Sequence, residues 1–459
     1  MASYDLAVIG SGPGGYVAAI RAAQLGMKTA CIEREAVGGV CLNWGCIPSK
    51  SLIRNAEVLH LVNTAAAYGI TTGTVKADYT VALERSRKVV DRLTRGVGSL
   101  FRKNKVDLIK GEAKLTGPHS VSVNGDTIEA KNIIVATGSR PRLLPGITVD
   151  GQTVVTYREA IVQDTAPAEA VIIGGGAIGV EFAYVYNAYG AKVTVVEFEP
   201  RILPKEDEEV SAALTKALGK QGITFLTGSK VTGVKTAKKG GATVSVETPD
   251  GEVSLSADRV LVAVGIMANT EGIGAESAGI ELDRGFIKVD GELRANGDGV
   301  YAIGDVIGTM PLAHVAQNQG VYVVESIAGE ETYPLDYLAM PRAVYCNPQV
   351  ASLGLSEQEA RTQGYEVKVG KFPFIANGKA LALDDYDGFA KVVVDARTGE
   401  LLGAHIIGHE VTEMLGELSL TRLLEGTNIE IGAVVHAHPT ISETVKEAAL
   451  AAEGRAVHM

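Results

Sequence analysis

Asp5-Leu6-Ala7-Val8-Ile9-Gly10-Ser11-Gly12-Pro13-Gly14-Gly15 decides the fold of this 459-residue chain. It reads as a buried strand, a glycine loop and the start of a helix over 16–25. The pattern returns 164 residues on, measured from Gly10 to Gly174: an apolar strand at 170–173, then Gly174-Gly175-Gly176-Ala177-Ile178-Gly179 and a helix through Tyr189. In each copy a glycine stops the helix (Gly26, Gly190), and a second strand closes on an acid, Glu33 or Glu197, 23 residues beyond the first glycine of its loop.

Each element has a physical job. The first glycine of a loop (Gly10, Gly174) permits the tight turn, and the second (Gly12, Gly176) lets backbone approach a pyrophosphate. The third (Gly15, Gly179) lets helix and strand pack closely. The helix N-terminus offers free N–H groups and its positive dipole end to phosphates. An acid at the end of the second strand suits ribose hydroxyls. One such loop would be weak evidence; two that share strand, helix, stop and acid predict two nucleotide units. Glu197-Phe198-Glu199 places carboxylates where an NADP site wants cations, so the second unit should prefer NAD. The strands at 132–136 and 259–264, ending at Thr137-Gly138 and Gly265, each look like the last strand of a unit. A third glycine-acid segment, Val300-Tyr301-Ala302-Ile303-Gly304-Asp305, ends a short strand with a carboxylate suited to sugar hydroxyls.

Chemistry concentrates in Gly38-Gly39-Val40-Cys41-Leu42-Asn43-Trp44-Gly45-Cys46-Ile47-Pro48-Ser49-Lys50. In a regular helix a five-residue step advances about 7.5 Å, beyond the ~6.8 Å limit for bridged Cα atoms. A disulfide therefore needs a distorted turn, which Gly45 can supply. An amphipathic helix is expected over 51–62, and its dipole would stabilise a thiolate in its first turn. A metal site would want two-residue spacing and two more ligands nearby, and none follow. Two buried, inert cysteines would leave the spacing and the glycine unexplained.

Dithiol exchange needs a base, because only a thiolate attacks. His436-Ala437-His438-Pro439-Thr440-Ile441-Ser442-Glu443 offers His438, with Glu443 five residues on to orient its ring at the start of a helix in which Pro439 fits the first turn. On sequence grounds alone His436 could serve instead.

Composition bounds the rest. With 46% hydrophobic residues the chain can bury several cores, and its net charge of −11 without a long basic run argues against a nucleic-acid partner. No apolar run approaches the ~18 residues of a membrane span. The first residues show no export signal, and four cysteines with one close pair suit a cytoplasmic redox protein rather than a disulfide-stapled one.

The paired loops, the Gly-Gly-x-Cys-x4-Cys-x-Pro-x-Lys motif and His-x-His-Pro-Thr-x-Ser-Glu together resemble the pyridine nucleotide–disulfide oxidoreductases over essentially the whole chain. The resemblance is closest to the branch that serves 2-oxoacid dehydrogenase and glycine cleavage complexes. It implies an α/β fold: two Rossmann-like FAD/NAD-binding domains plus a C-terminal α+β dimerisation domain. The parts would be FAD-binding (1–145), NAD-binding (146–268), a central segment completing the FAD site (269–336) and an interface domain (337–459). It also implies oxidation of protein-bound dihydrolipoamide, with Cys41 meeting substrate, Cys46 facing the flavin and His438 as acid–base held by Glu443. Lys50 would sit near the flavin, paired with Glu181. Gly10, Gly12, Gly15, Glu33, Lys50, Ala113, Gly304, Asp305 and Ala313 would bind FAD. Gly174, Gly176, Ile178, Gly179, Glu197, Val231 and Gly265 would line the NAD site. His438 would reach Cys41 of a second subunit, making a homodimer that works on lipoyl-bearing subunits.

Some positions depart from the family pattern. Ile266-Met267-Ala268 stands where relatives often carry Arg-x-Pro, Val40 replaces a common threonine, and Cys346 occupies a frequent threonine site. Cys346 and Cys31 read as buried small residues. Sibling activities each lack a residue: cationic 2′-phosphate contacts for a glutathione-type reductase, and a C-terminal thiol pair for a mercuric or large thioredoxin reductase. A transhydrogenase of this fold would lack Cys41. A flavin-bound sensor or scaffold without turnover is the alternative of another class. In the C-terminal part, alternating strands are expected at 390–394 and 401–407, and Val411, Met414, Leu415 and Leu418 mark a buried helical face.

Overall fold

A computed structural model describes residues 2–238, 240–297 and 299–459. Its first sheet sets Asp107–Lys110, Thr29–Glu33, Ala2–Ile9, Asp126–Val135 and Val300–Ala302 side by side, all parallel. The second sets Thr224–Leu226, Lys192–Val196, Glu169–Ile173, Arg259–Val262 and Val154–Thr156 in the same spatial order, again all parallel. The glycine loops follow the central strand of each, at the carboxyl ends where open α/β sheets bind ligands. Leu6, Ala7, Val8 and Ile9 are at most 4% exposed, as a strand covered on both faces requires.

The internal repeat runs further than its loops. Each unit carries an antiparallel meander: Ala113–Gly117, Ser120–Val123 and the start of Asp126–Val135, continuous with the sheet, in the first, and Lys230–Thr236, Ala242–Thr248 and Gly251–Ala257, a separate sheet, in the second. The two units differ in the source of their fifth strand, which precedes the rest of the unit in the second and returns from residues 300–302 in the first. The chain passes between the two units through Ser139–Pro141 and Ile266–Ala268, which pair antiparallel.

The C-terminal part is an antiparallel sheet ordered Arg342–Val344, Gln349–Gly354, Leu401–Gly408, Phe389–Asp395, Val367–Pro373. The two strands expected to alternate are buried at every residue. Helix Glu443–Ala451 packs on Phe389–Asp395, and Glu208–Lys220 of the second unit packs on Leu401–Gly408. Polar Lys391 and His405 are therefore inside, at 2% and 0% exposure. Val411, Met414, Leu415 and Leu418 are buried as the spacing predicts. Among the described residues no helix is long and apolar enough to cross a membrane.

Candidate active site

The three glycines of each loop repeat the same backbone roles. Gly10 and Gly174 have φ of +102° and +111°, backbone that side chains rarely adopt. A Cβ on Gly15 would lie 2.0 Å from the Gly10 carbonyl oxygen, and one on Gly179 would lie 2.0 Å from that of Gly174. A Cβ on Gly12 or Gly176 would meet no protein atom within 4 Å. So the outer glycines serve the protein's own packing, and the middle one keeps clear a space that no protein atom fills. Helices Pro13–Gln24 and Ala177–Ala188 start directly behind that space without a side-chain cap, leaving their first N–H groups for an anion. Glu33 accepts hydrogen bonds from the Ser11 amide (2.9 Å) and hydroxyl (2.7 Å), and Glu197 accepts one from the Gly175 amide (2.5 Å). Each acid is thus fixed at the lip of its loop.

Both loops open into one cleft of about 1140 Å³. Its walls bring together Gly10, Gly12, Gly15, Glu33, Ala113, Gly304, Asp305 and Ala313 from the first unit and its returning segment. From the second unit come Gly174, Gly176, Ile178, Glu181, Glu197, Val231 and Gly265. Cys41, Cys46 and Lys50 lie in the same wall. Gly179 is absent from the lining, because its place is against Gly174. The donor set fits two dinucleotides: two uncapped helix ends for pyrophosphates, and carboxylates for sugar hydroxyls. Among the described residues no group of three or more His, Cys, Asp or Glu could hold a metal ion.

Cys41 and Cys46 form a disulfide with their Cα atoms 4.7 Å apart. The short helix Gly39–Asn43 ends before Gly45, whose φ of −126° and ψ of −109° break the helical path, and a new helix, Cys46–Asn63, begins at the second cysteine. The distorted turn is where the spacing puts it. The helix itself starts five residues earlier than expected, because Pro48 falls within its first turn, where its missing N–H has no partner to lose. Cys46 is then its first residue, at the positive end of the dipole. Arg87, on helix Tyr79–Asn104, donates to the Asn43 carbonyl (2.8 Å) and braces the loop from outside. Cys31 and Cys346 are free and fully buried, and burial pushes both thiols up.

Lys50 reaches from the second turn of this helix to both carboxylate oxygens of Glu181 at 2.9 Å, on the helix that follows the second glycine loop. Its ammonium also sits 4.3 Å from the centre of the Tyr345 ring, whose amide donates to Glu181.

His438 and Glu443 stand apart from this cleft and do not line it. The His438 Nδ1–H donates to Glu443 (2.9 Å) and the side chain is 79% exposed, so the other ring nitrogen faces outward. Glu443 is the first residue of helix Glu443–Ala451 and also accepts from the Thr440 amide. Pro439 lies before that helix rather than in its first turn, because the chain must still turn at 440–442 to bring Glu443 back to the ring. His436 is buried against Glu417, so the structure leaves His438 as the accessible one of the two.

Other lining residues carried no sequence signal. Ser139 donates to Asp305 (2.6 Å); burial raises the Asp305 carboxyl above the usual carboxylate range, with the Ser139 bond opposing it. Arg158 pairs with Glu35, 123 residues away, and stacks 4.1 Å from the centre of Trp44 between the cysteines. Arg140 donates to the Ala268 carbonyl (2.6 Å) and pairs with Glu271. It thereby fixes the strand where relatives often carry Arg-x-Pro.

Residues 4–320 match the family model described as pyridine nucleotide-disulphide oxidoreductase, and residues 340–449 match the dimerisation domain of that family. The chain is similar to the dihydrolipoyl dehydrogenases of Rhizobium etli, at 48% identity, and Zymomonas mobilis, at 50%, covering 99% of both chains in each case. Among solved structures it is similar to LpdA from Mycobacterium tuberculosis, with a TM-score of 0.89 at 26% identity over 98% of this chain and 99% of that one. It is also similar to the HOCl-induced flavoprotein disulfide reductase RclA from Escherichia coli, with a TM-score of 0.86 at 27% identity over 97% and 99%.

Proposed function

The chain belongs to the pyridine nucleotide-disulphide oxidoreductase family, and from that premise we propose that it oxidises protein-bound dihydrolipoamide to lipoamide with FAD and NAD. The observation that carries the reading is the bridged pair Cys41–Cys46 in a single cleft shared by two nucleotide loops. The first unit and the segment that returns to it would hold the flavin through Gly12, Glu33, Ala113, Asp305 and Ala313. The second would hold NAD through Gly176, Glu197, Val231 and Gly265, with Ile178 near the nicotinamide. The proposed division into parts 1–145, 146–268, 269–336 and 337–459 is supported by the return of Val300–Ala302 to the first sheet. Bound there, FAD would supply the two-electron redox chemistry that links the reduced Cys41–Cys46 dithiol to NAD.

The steps made by the protein's own residues are a thiol–disulfide exchange. A substrate thiolate attacks the Cys41 sulfur, the Cys41–Cys46 bond breaks, and Cys46 leaves as a thiolate at the positive end of its helix. The second substrate thiol, deprotonated, then attacks the substrate sulfur bound to Cys41. That closes the lipoamide disulfide and frees Cys41. His438 takes the protons, with Glu443 holding the ring so that its outward nitrogen is the base. Because His438 is exposed and lies outside its own cleft, it serves Cys41 of the second subunit of a homodimer. The matched dimerisation domain supports that arrangement. Lipoyl-bearing subunits of 2-oxoacid dehydrogenase or glycine cleavage complexes are the proposed partners, and the cytoplasm, which keeps such dithiols reduced, is the proposed compartment.

Steady-state turnover of dihydrolipoamide with NAD and with NADP tests the reading. Turnover with strong preference for NAD is expected; a dimeric, flavin-loaded protein with none would overturn it and favour the sensor or scaffold alternative.

A further inference from the structure

The second glycine loop is held from behind by a segment that has no part in the nucleotide fingerprint. The Gly175 amide donates to Glu197, and the Gly175 carbonyl accepts from the Leu203 amide at 2.9 Å. The backbone donor and the backbone acceptor of one residue in the phosphate loop are therefore both fixed by residues 197–203. Leu203 is buried and has φ of +44°, a left-handed conformation that a side chain with a Cβ holds only when its surroundings impose it.

What imposes it comes from the C-terminal sheet. The Glu206 amide donates to the Leu203 carbonyl at 2.9 Å. The Glu206 carboxylate is gripped by Arg342 (3.1 Å) and by the Ser352 hydroxyl. Asp207 caps helix Glu208–Lys220 and meets the ammonium of Lys391 at 3.0 Å. Lys391, with 2% of its side chain exposed, also pairs with Glu209 (2.8 Å) and Glu357 (3.0 Å). Lys371 pairs with Glu209 and Arg361 with Glu357. Four cations and four carboxylates thus gather at the seam, with Glu206, Asp207 and Glu209 on the side of the second unit and Arg342, Lys371, Lys391 and the Glu357–Arg361 pair on the C-terminal side. The buried centre of this cluster, Glu206, Asp207 and Lys391, contributes less to net stability than to fixing one geometry.

We propose that Lys391 and the Glu206–Asp207 pair are positioning residues for the NAD step: they lock Leu203, and through it Gly175, at the height the pyrophosphate of NAD requires. The proposal rests on the assignment of the second loop to NAD. It predicts that the seam matters to the nucleotide half of the cycle and not to the dithiol half, although Lys391 lies in a different part of the chain from either site.

The test uses the flavin-loaded dimer with three variants, Lys391→Met, Lys391→Arg and Glu206→Gln. The KM for NADH is read with ferricyanide as acceptor, an assay that needs no dithiol and so reports even if dihydrolipoamide is not the substrate. Amide exchange of residues 198–207, read by mass spectrometry without nucleotide, provides a readout independent of activity. Lys391→Met and Glu206→Gln should raise the NADH KM about tenfold, the scale of a small misplacement of a binding group. They should also speed exchange in that segment and leave flavin reduction by dithiol within about twofold of the parent. Lys391→Arg should recover both KM and protection. If Lys391→Met does not fold, Glu206→Gln, which removes a charge without changing shape, carries the test. An unchanged KM with unchanged exchange overturns the proposal, as does a dithiol half-reaction that falls in step with NADH binding.

Discussion

Lys50 places its ammonium 2.9 Å from each carboxylate oxygen of Glu181, tying the helix that begins at Cys46 to the helix that begins behind the second glycine loop. The pair lines the cleft together with the dithiol, and Glu181 is buried, at 8% exposure. Among the described residues, removing Lys50 leaves that carboxylate with only the Tyr345 amide as partner. Lys50→Met should therefore slow turnover by about ten- to a hundredfold, or roughly 1.4–2.7 kcal/mol of barrier, while the protein still binds flavin. Glu181→Gln, which keeps an acceptor for Tyr345, should cost less. Stopped-flow absorbance of the flavin separates the half-reactions, and a Lys50→Met protein that turns over normally would remove the pair from the mechanism.

Glycines of the two loops make an internal control. Gly12 and Gly176 have extended backbone, φ of −64° and −74°, and an added methyl group meets no protein atom. Gly12→Ala should leave the thermal midpoint of the flavin-free protein within about a degree, since surface changes of this kind stay within ±0.5 kcal/mol, and should weaken FAD binding. Gly176→Ala should do the same to NAD binding. Gly15→Ala and Gly179→Ala would drive a methyl onto a carbonyl 2.0 Å away and should destabilise the fold by about 1–3 kcal/mol, as overpacking does. Calorimetry of the four proteins checks the contrast. Equal stability losses at all four positions would mean that the middle glycines pack against protein and not against a ligand.

What could be read in the sequence was what repeats or what is local. The loop pairs, the acids at Glu33 and Glu197, and the distorted turn at Gly45 all follow from short-range sterics, so a single pass along the chain finds them. Helix ends were placed less well: Pro48 looks like a barrier from the sequence, yet it sits where a proline costs nothing, and the helix extends back to Cys46. The C-terminal strands misled for a different reason. Lys391 and His405 interrupt the apolar runs of their strands, yet both are buried, Lys391 against Asp207, 184 residues away, and His405 with Nε2 on the Leu355 carbonyl, 50 residues away. Pairings of that range, like Arg158 with Glu35, leave no periodic trace.

Glu443 holds Nδ1 of His438 and leaves the opposite nitrogen free. Burial works against the charge of Glu443, yet the Thr440 amide and the His438 ring hold its carboxyl below the usual range. It therefore stays ionised as the ring takes a proton. Glu443→Gln should lower kcat for dihydrolipoamide by about ten- to a hundredfold, part of the roughly 10²–10⁴-fold that a positioned general base contributes. NADH oxidation with ferricyanide should not change. Loss of both activities together would show that Glu443 supports the fold and not the base.

The ionic seam around Lys391 gives a pH test whose sign is fixed. Burial opposes the charges of Asp207 and Glu209, and hydrogen bonding to Lys391 favours that of Glu357, yet all three carboxyls are held below their usual 3.8 and 4.5. A depressed carboxyl contributes stability that is present above its unfolded value and is lost as pH falls through the folded one. Lys391 is raised above its usual 10.5, its carboxylate partners outweighing burial, so its contribution is complete below that value and is lost at higher pH. The parent protein should therefore show a stability plateau that falls below about pH 4 and above about pH 11. Lys391→Met leaves Asp207 buried without its cation, a change that typically costs about 3–5 kcal/mol. The gap between parent and variant should be widest on the plateau and should narrow at both ends, because protonating Asp207 relieves the variant while acid takes from the parent what the variant has already lost. Denaturant unfolding at pH 3.5, 7 and 11 measures that gap, and a gap of constant size would mean that Lys391 acts through packing alone.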